Sequence, residues 1–186
     1  MTRDDRGNFV DSEGVATESH KIVVKDARQL LPKNRMSLTR NGFELLENTV
    51  PSYDFLDHQE VITRYYRDCE DIVAEATGGK VWAFDHNVRS AGGLAEKRRV
   101  KGGQDVQGPA HIVHGDYTLR SARDRLTQLT EASSVNDTLR QVVPEGQGLI
   151  PKDAANPALN DGGRFAIINV WRNIEAEPVA THPLAL

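Results

Sequence analysis

The sequence contains one cysteine, Cys69, among its 186 residues, and this scarcity excludes several kinds of protein. A single thiol cannot form an internal disulfide, and it cannot build a structural zinc site from several cysteines. Aromatic residues make up only 6% of the chain. No run of apolar residues approaches the length of about 18 that a transmembrane helix needs, and residues 1–14 contain no apolar core of a secretion signal. We therefore expect a cytoplasmic protein in a reducing compartment.

An excess of positive charge is also missing. Lys and Arg number 23 against 27 Asp and Glu, which gives a net charge of −4. Because no positive field covers the chain, we expect neither nucleic acid nor an anionic membrane surface as a partner. The sequence also contains no phosphate-binding glycine loop, no Gly-x-Ser-x-Gly elbow and no His-Glu-x-x-His motif. These absences argue against the common nucleotide-binding, hydrolase and metalloprotease functions.

The remaining composition is typical of a folded globular chain. Hydrophobic residues make up 38% and charged residues 27%, and the length suits one domain, which we predict over residues 1–186. Residues 1–18 are polar and show no periodicity, so we predict that they are disordered. Residues 90–107 combine glycines with basic side chains, and we predict a mobile loop there.

Two segments carry the three- and four-residue apolar spacing of amphipathic helices. The clearer one covers residues 57–77, with a capping box that starts at Asp57 and a stop at Gly78. Cys69 lies on the apolar stripe of this helix, so we assign it a structural role. Residues 119–129 are predicted to form a second helix that packs through its leucines.

Short segments rich in β-branched and aromatic residues are typical of strands, and an Asn-Gly pair between two of them is typical of a hairpin. Residues 164–171 are almost entirely apolar, so we predict a central strand in which Ile167→Ala costs about 2 to 5 kcal/mol. Residues 131–163 are predicted to be irregular. The predicted strands and the hairpin cover residues 20–28, 38–46, 80–84, 110–113 and 164–171. This pattern favours a mostly β fold with helices, of the α+β class.

The segment from His114 to Thr118, His-Gly-Asp-Tyr-Thr, carries the clearest chemical signal. On an extended chain the side chains of His114 and Asp116 share one face, as two of the three ligands in a two-histidine, one-carboxylate Fe(II) site do. A local His-Asp hydrogen bond at the end of a strand is the alternative. His111 and His114 have the spacing of some zinc hydrolases, but positions i and i+3 of a strand face opposite ways, so we interpret His111 as structural.

Several motifs in order along the chain resemble one family, the gibberellin-desaturase-like and cephamycin methoxylation-protein-like oxygenases of secondary metabolism. The resemblance implies a double-stranded β-helix, that is, a jelly-roll or cupin-like fold. It also implies Fe(II), 2-oxoglutarate and O₂ as reaction components, and hydroxylation or desaturation of a small secondary-metabolite-type substrate. The motifs that carry it are Val24–Arg28, Leu38–Glu44, Phe84–Arg89, His114–Thr118 and Arg164–Arg172.

The resemblance implies that His114 and Asp116 are the metal ligands, with no other catalytic side chains. Arginine can bind a carboxylate through two parallel hydrogen bonds, which suits a 2-oxoglutarate anchor. An ion pair that holds the fold is the alternative for each arginine. The residues that we predict to bind cosubstrate or substrate are Arg89, Tyr117, Thr118, Asn169 and Arg172.

The chain departs from the family pattern in two places. Asn173 replaces the proline that usually follows Asn-Val-Trp-Arg, and the family sequence normally continues beyond Pro-Leu-Ala-Leu, where this chain ends. We therefore expect the third metal ligand and the 2-oxoglutarate anchor to lie beyond Leu186, although His86 and His182 are possible replacements for the missing histidine.

Loss of late strands would leave the predicted β-helix incomplete at its C-terminus, with an open strand edge that favours self-association. On this view the isolated chain has little activity. The alternative function is a catalytically inactive relic of the fold that serves as a binding or interaction module.

Overall fold

The computed structural model describes residues 2–3, 9–11, 18–29, 36–47, 51–95, 98–110, 112–135, 137–181 and 184. The chain divides into two compact units. One comprises Met1–Ser12 with Tyr53–Pro183, and the other comprises Glu13–Ser52 with Leu184–Leu186. All of the residues that bear on the candidate site belong to the first unit.

Helices dominate the regular structure of the described residues. Two short strands run antiparallel to each other, and residues 27–29 form one 3₁₀ turn. In chain order the elements are β1 (Thr2–Arg3), β2 (Phe9–Asp11), α1 (Leu38–Asn41), α2 (His58–Glu60), a π-helical turn (Val61–Tyr65), α3 (Tyr66–Thr77), α4 (Ala91–Ala95), α5 (Leu119–Gln128) and α6 (Lys152–Leu159).

The predicted helix at residues 57–77 is confirmed as the continuous run of α2, the π-helical turn and α3. The Asp57 carboxylate caps its start by accepting hydrogen bonds from the backbone N–H groups of Gln59 and Glu60, at 3.0 and 3.2 Å. Gly78 ends it in the left-handed region at φ 69°. Asp57 and Gly78 therefore cap the helix as predicted, but the predicted capping box is incomplete, because Glu60 accepts from the Asp54 N–H and the Asp57 N–H donates to the Asp54 carbonyl.

The π-helical turn changes which side chains of this run are buried. A π turn holds one residue more than an α turn, so the residues after it are rotated relative to a regular 3.6-residue spacing. Val61, Ile62 and Tyr66 are buried, whereas Ala76, which the regular spacing places on the apolar stripe, is exposed.

Two apolar clusters form the core of the first unit. The first joins Val61, Ile62 and Tyr66 to Leu139. The second joins α5 and α6 through Leu129, Ile150 and Ala155, with Trp82 and Phe84 packed against it. The predicted helix at residues 119–129 is thus confirmed by α5, and its leucine face packs as expected.

The prediction of a mostly β fold built as a double-stranded β-helix is wrong. Across the described residues, strand pairing is confined to β1 with β2 and to four isolated bridges. Residues 80–84 and 164–171, and the described part of residues 110–113, form no strand. Their composition favours extended backbone, but a sheet also needs partner strands, and Trp82 and Phe84 instead pack against the helical cluster.

The predicted central strand at residues 164–171 lies near the surface. Phe165 is 38% exposed and Trp171 52%, and Ile167 is only partly buried. The large cost predicted for Ile167→Ala therefore does not follow from this structure. Residues 20–28 are also not a strand, and Val23 is 85% exposed.

The Asn41-Gly42 pair ends a helix instead of forming a hairpin. Gly42 adopts φ 76°, and its N–H donates to the Leu38 carbonyl at 3.0 Å to close α1. A helix C-cap and a hairpin turn both use a glycine with positive φ, so the dipeptide alone does not distinguish them. The isolated bridge between Ser37 and Phe43 is the sole strand-like pairing in residues 36–47.

Residues 131–163, predicted to be irregular, contain α6. Proline and asparagine within Lys152–Leu159 conceal this helix in the sequence, since Pro157 lies inside it. Residues 90–107 contain α4, and the described part of this segment buries Val100 and Val106 at 5% and 3% exposure. Among the described residues, no helix has both the length and the apolar character to cross a membrane.

Candidate functional site

The structure brings the side chains of His114 and Asp116 together. Their backbone segment is not a strand and bends at Asp116, and His114 Nε2 lies 3.5 Å from Asp116 Oδ1. The two side chains are 41% and 48% exposed, so a ligand can reach the atoms that face each other. The pair is thus accessible and has a defined orientation.

The imidazole of His114 is oriented by the backbone. Its Nδ1 lies 3.0 Å from the carbonyl oxygen of Ile112. A carbonyl oxygen can only accept a hydrogen bond, so Nδ1 carries a proton and donates it. In the neutral ring, Nε2 then presents its lone pair toward the Asp116 carboxylate. Histidines that bind metals are commonly held in this way, with the second ring nitrogen donating to a backbone carbonyl.

The carboxylate of Asp116 is held from its other side. Asn169, distant in sequence, donates from Nδ2 to Asp116 Oδ2 at 2.8 Å. This bond occupies Oδ2 and leaves Oδ1 directed toward His114. Three of the residues predicted for the site, His114, Asp116 and Asn169, therefore lie next to one another.

Tyr117 and Thr118 continue the same segment into α5. Thr118 is the N-cap of that helix, where its hydroxyl accepts from the Ser121 N–H at 3.1 Å and its own N–H donates to Ser121 Oγ at 2.9 Å. Partial burial raises the pKa of the Tyr117 hydroxyl, and nearby Arg125 opposes the rise. Thr118 therefore has a structural role in the helix start, whereas Tyr117 remains 38% exposed.

The two predicted anchor arginines make contacts elsewhere. Arg89 donates to the Gly108 carbonyl oxygen at 3.0 Å. Arg172 places its guanidinium over the rings of Phe55 and Tyr65, at 5.9 and 5.8 Å from the ring centres. Its buried Nε has no hydrogen-bond partner among the residues that the structure describes. None of these contacts involves His114 or Asp116.

His86, a possible third ligand, belongs to a different cluster. Its ring stacks on that of His58 with centroids 5.4 Å apart, and its Nδ1 lies 2.8 Å from the Tyr66 hydroxyl. Burial, with a smaller effect of neighbouring His58, lowers the pKa of His86 to about 4. The sequence gives no signal that these two rings meet, because His58 and His86 are far apart along the chain.

A third metal ligand is not visible in the described part of the chain. Within it, no group of three or more His, Cys, Asp or Glu side chains could hold a metal ion together. His111 and His182, which the sequence raised as alternatives, lie outside the described residues. The arrangement offers one imidazole and one carboxylate donor, and these two donors fit a divalent cation with other positions open.

Comparisons with known proteins place the chain in a family. Residues 2–144 match the family described as Oxidoreductase/YMDC permease-like domain. The "Uncharacterized protein in dcmA 3'region" of Methylophilus leisingeri is 39% identical over 93% of this chain and 80% of its own length. The "Oxidoreductase AN1597" of Emericella nidulans is 33% identical over 83% of this chain and 44% of its own length. No solved structure matches. The chain therefore belongs to the Oxidoreductase/YMDC permease-like domain family.

Proposed function

We propose that this oxidoreductase-family chain is a non-heme Fe(II)- and 2-oxoglutarate-dependent oxygenase of the gibberellin-desaturase-like type, with His114 and Asp116 as metal ligands. The observation that carries the proposal is the facing pair of donor atoms, His114 Nε2 and Asp116 Oδ1, at 3.5 Å. Two donors that each lie about 2.1 Å from one cation are about 3.0 to 3.4 Å apart, so a small adjustment lets both bind it.

The tautomer of His114 supports the same proposal. Because Nδ1 is directed to the Ile112 carbonyl, Nε2 faces a carboxylate oxygen, and a cation between these two atoms would attract both. An imidazole with one carboxylate is a donor set that suits Fe(II). The residues present therefore fit the metal, with further positions left for a cosubstrate and O₂.

The bound iron would supply the oxidising chemistry, in which substrate, 2-oxoglutarate and O₂ give succinate and CO₂ together with either a hydroxylated substrate or a desaturated substrate and water. The residues of the chain would bind the iron and orient its ligands. The Ile112 carbonyl orients the His114 ring, and Asn169 orients the Asp116 carboxylate. Along the chain, Arg172 lies within about 10 Å of Asn169, and we propose it for the cosubstrate carboxylate.

Residues close in sequence to the pair and to Asn169 favour a small substrate with apolar surface. Ile112 and Val113, which precede His114, are 57% and 82% exposed. Trp171, two residues after Asn169, is 52% exposed. Exposed apolar groups around reactive polar ones are typical of a surface that binds an apolar molecule.

The proposal is tested by succinate formation under single-turnover conditions. The full chain is loaded with Fe(II) anaerobically, mixed with an equal concentration of 2-oxoglutarate, and exposed to O₂. We expect succinate from the wild type and none above background from His114→Ala or Asp116→Ala, while His20→Ala serves as the control with an exposed histidine elsewhere. Iron binding without any succinate would indicate the alternative function, a binding module. Succinate from both variants would place the chemistry outside this pair.

A further inference from the structure

We propose that Asn169 is a positioning residue for Asp116, not a group that binds cosubstrate or substrate; this inference rests on the proposed Fe(II) site. Its amide Nδ2 is engaged with Asp116 Oδ2 at 2.8 Å. An amide N–H that already donates to a carboxylate is not available to donate to a bound ligand, and the carboxylate that accepts the bond gains a fixed orientation. Asn169 thus acts on the metal through Asp116.

The effect of this contact is to decide which oxygen of Asp116 is available. With Oδ2 held by Asn169, Oδ1 faces His114 Nε2 and can bind as a single donor atom. Both side chains of the pair are partly exposed, so packing alone does not fix the carboxylate. Without the amide, the Asp116 side chain can rotate and present either oxygen, or both, to a cation.

Each of the two proposed ligands is therefore held by a separate polar contact. A backbone carbonyl, that of Ile112, fixes the imidazole, and the Asn169 side chain fixes the carboxylate. Only the second contact can be removed by substitution without changing a ligand. Such supporting contacts are typically worth about 10- to 100-fold in metal affinity.

The experiment measures Fe(II) affinity anaerobically for the full chain and for Asn169→Leu, which keeps the approximate shape of the side chain and removes the donor. We expect a 10- to 100-fold weaker dissociation constant for this variant. Asn169→Gln retains an amide on a longer side chain and is expected to recover part of the loss. The matched control is Asn173→Leu, because Asn173 also donates from its amide, to the Glu177 carbonyl at 2.7 Å, without contacting the pair.

A second readout reports on Asp116 itself. Infrared difference spectra of Fe(II)-loaded against metal-free protein follow its carboxylate stretching bands, with Asp116→Ala identifying them. We expect the spacing of these bands to show one-oxygen binding in the wild type and to change in Asn169→Leu. Equal affinities and equal spectra for Asn169→Leu and Asn173→Leu would overturn the inference and leave the Fe(II) site standing. No saturable Fe(II) binding by the wild type would overturn the proposed function and this inference together.

Discussion

Gly148→Ala is expected to lower the free energy of unfolding by about 3 kcal/mol or more, or to prevent folding. A Cβ atom at Gly148 would lie 2.8 Å from Thr130 Cα and still closer to the Thr130 carbonyl group. Backbone atoms cannot move aside as the end of a flexible side chain can. Moreover, Thr130 is buried, and it follows Leu129 of the second apolar cluster. Equilibrium urea unfolding of the two proteins measures the difference.

Gly92→Ala is the matched control for this substitution. Gly92 lies in α4, and a Cβ there meets no atom within 4 Å. Alanine at an open helical position is expected to be neutral or to stabilise by about 0.5 to 1 kcal/mol. Similar unfolding free energies for the two variants would show that the close approach of Gly148 to Thr130 is absent in solution.

Acidification is expected to destabilise the fold through His86, by about 3 kcal/mol between pH 7 and pH 4. Burial lowers the pKa of His86 from 6.5 to about 4, so between these values the unfolded chain binds a proton that the folded chain does not. Stability therefore rises with pH across this window. It is complete above about pH 6.5 and is lost progressively as the pH falls toward 4.

Urea unfolding of the wild type and of His86→Gln at several pH values between 4.5 and 7.5 checks this expectation. The variant has no group that titrates at this position, so its stability should change much less over the interval. His20→Gln, at an exposed histidine, should keep the wild-type slope. Asp57 and Asp137 do not interfere, because their pKa values lie below 3.8. A wild-type slope equal to that of His86→Gln would contradict the expectation.

The helices could be predicted where the sequence has clear capping residues at their ends. Asp57 as an N-cap and Gly78 as a C-cap act locally, so the pattern of a few neighbouring residues is enough to place them. The π-helical turn at Val61–Tyr65 leaves no comparable signal, and it changes which side chains are buried. The helix at Lys152–Leu159 could not be predicted, because a proline such as Pro157 normally indicates that a segment is not helical.

The strands could not be predicted because sheet formation depends on distant partners. The β-branched residues at 22–24 and the apolar residues at 165–171 favour an extended backbone, yet neither segment is a strand in this structure. The resemblance to a β-helical family reinforced the same error. An open sheet edge as a cause of self-association loses its basis along the described residues, since the predicted sheet is not formed there.

In the candidate site, too, contacts between sequence neighbours could be predicted, whereas contacts between residues far apart in sequence could not. His114 and Asp116 are two residues apart in the sequence, so their proximity could be predicted and does not need a sheet. The contact of Asn169 with Asp116 joins residues that are far apart in sequence, and its geometry emerges only in three dimensions. The contacts of Arg89 and Arg172 could not be predicted either, because each arginine contacts residues distant in sequence, Gly108 for Arg89 and the aromatic rings of Phe55 and Tyr65 for Arg172.

Anaerobic Fe(II) titration of the purified chain tests our proposal that His114 and Asp116 together bind Fe(II). We predict saturable binding of one iron per chain by the wild type and by His20→Ala. Since each ligand variant removes one of two protein donors, we expect His114→Ala and Asp116→Ala each to bind at least about 100-fold more weakly. Stoichiometric iron retained with wild-type affinity in both ligand variants would contradict the claim.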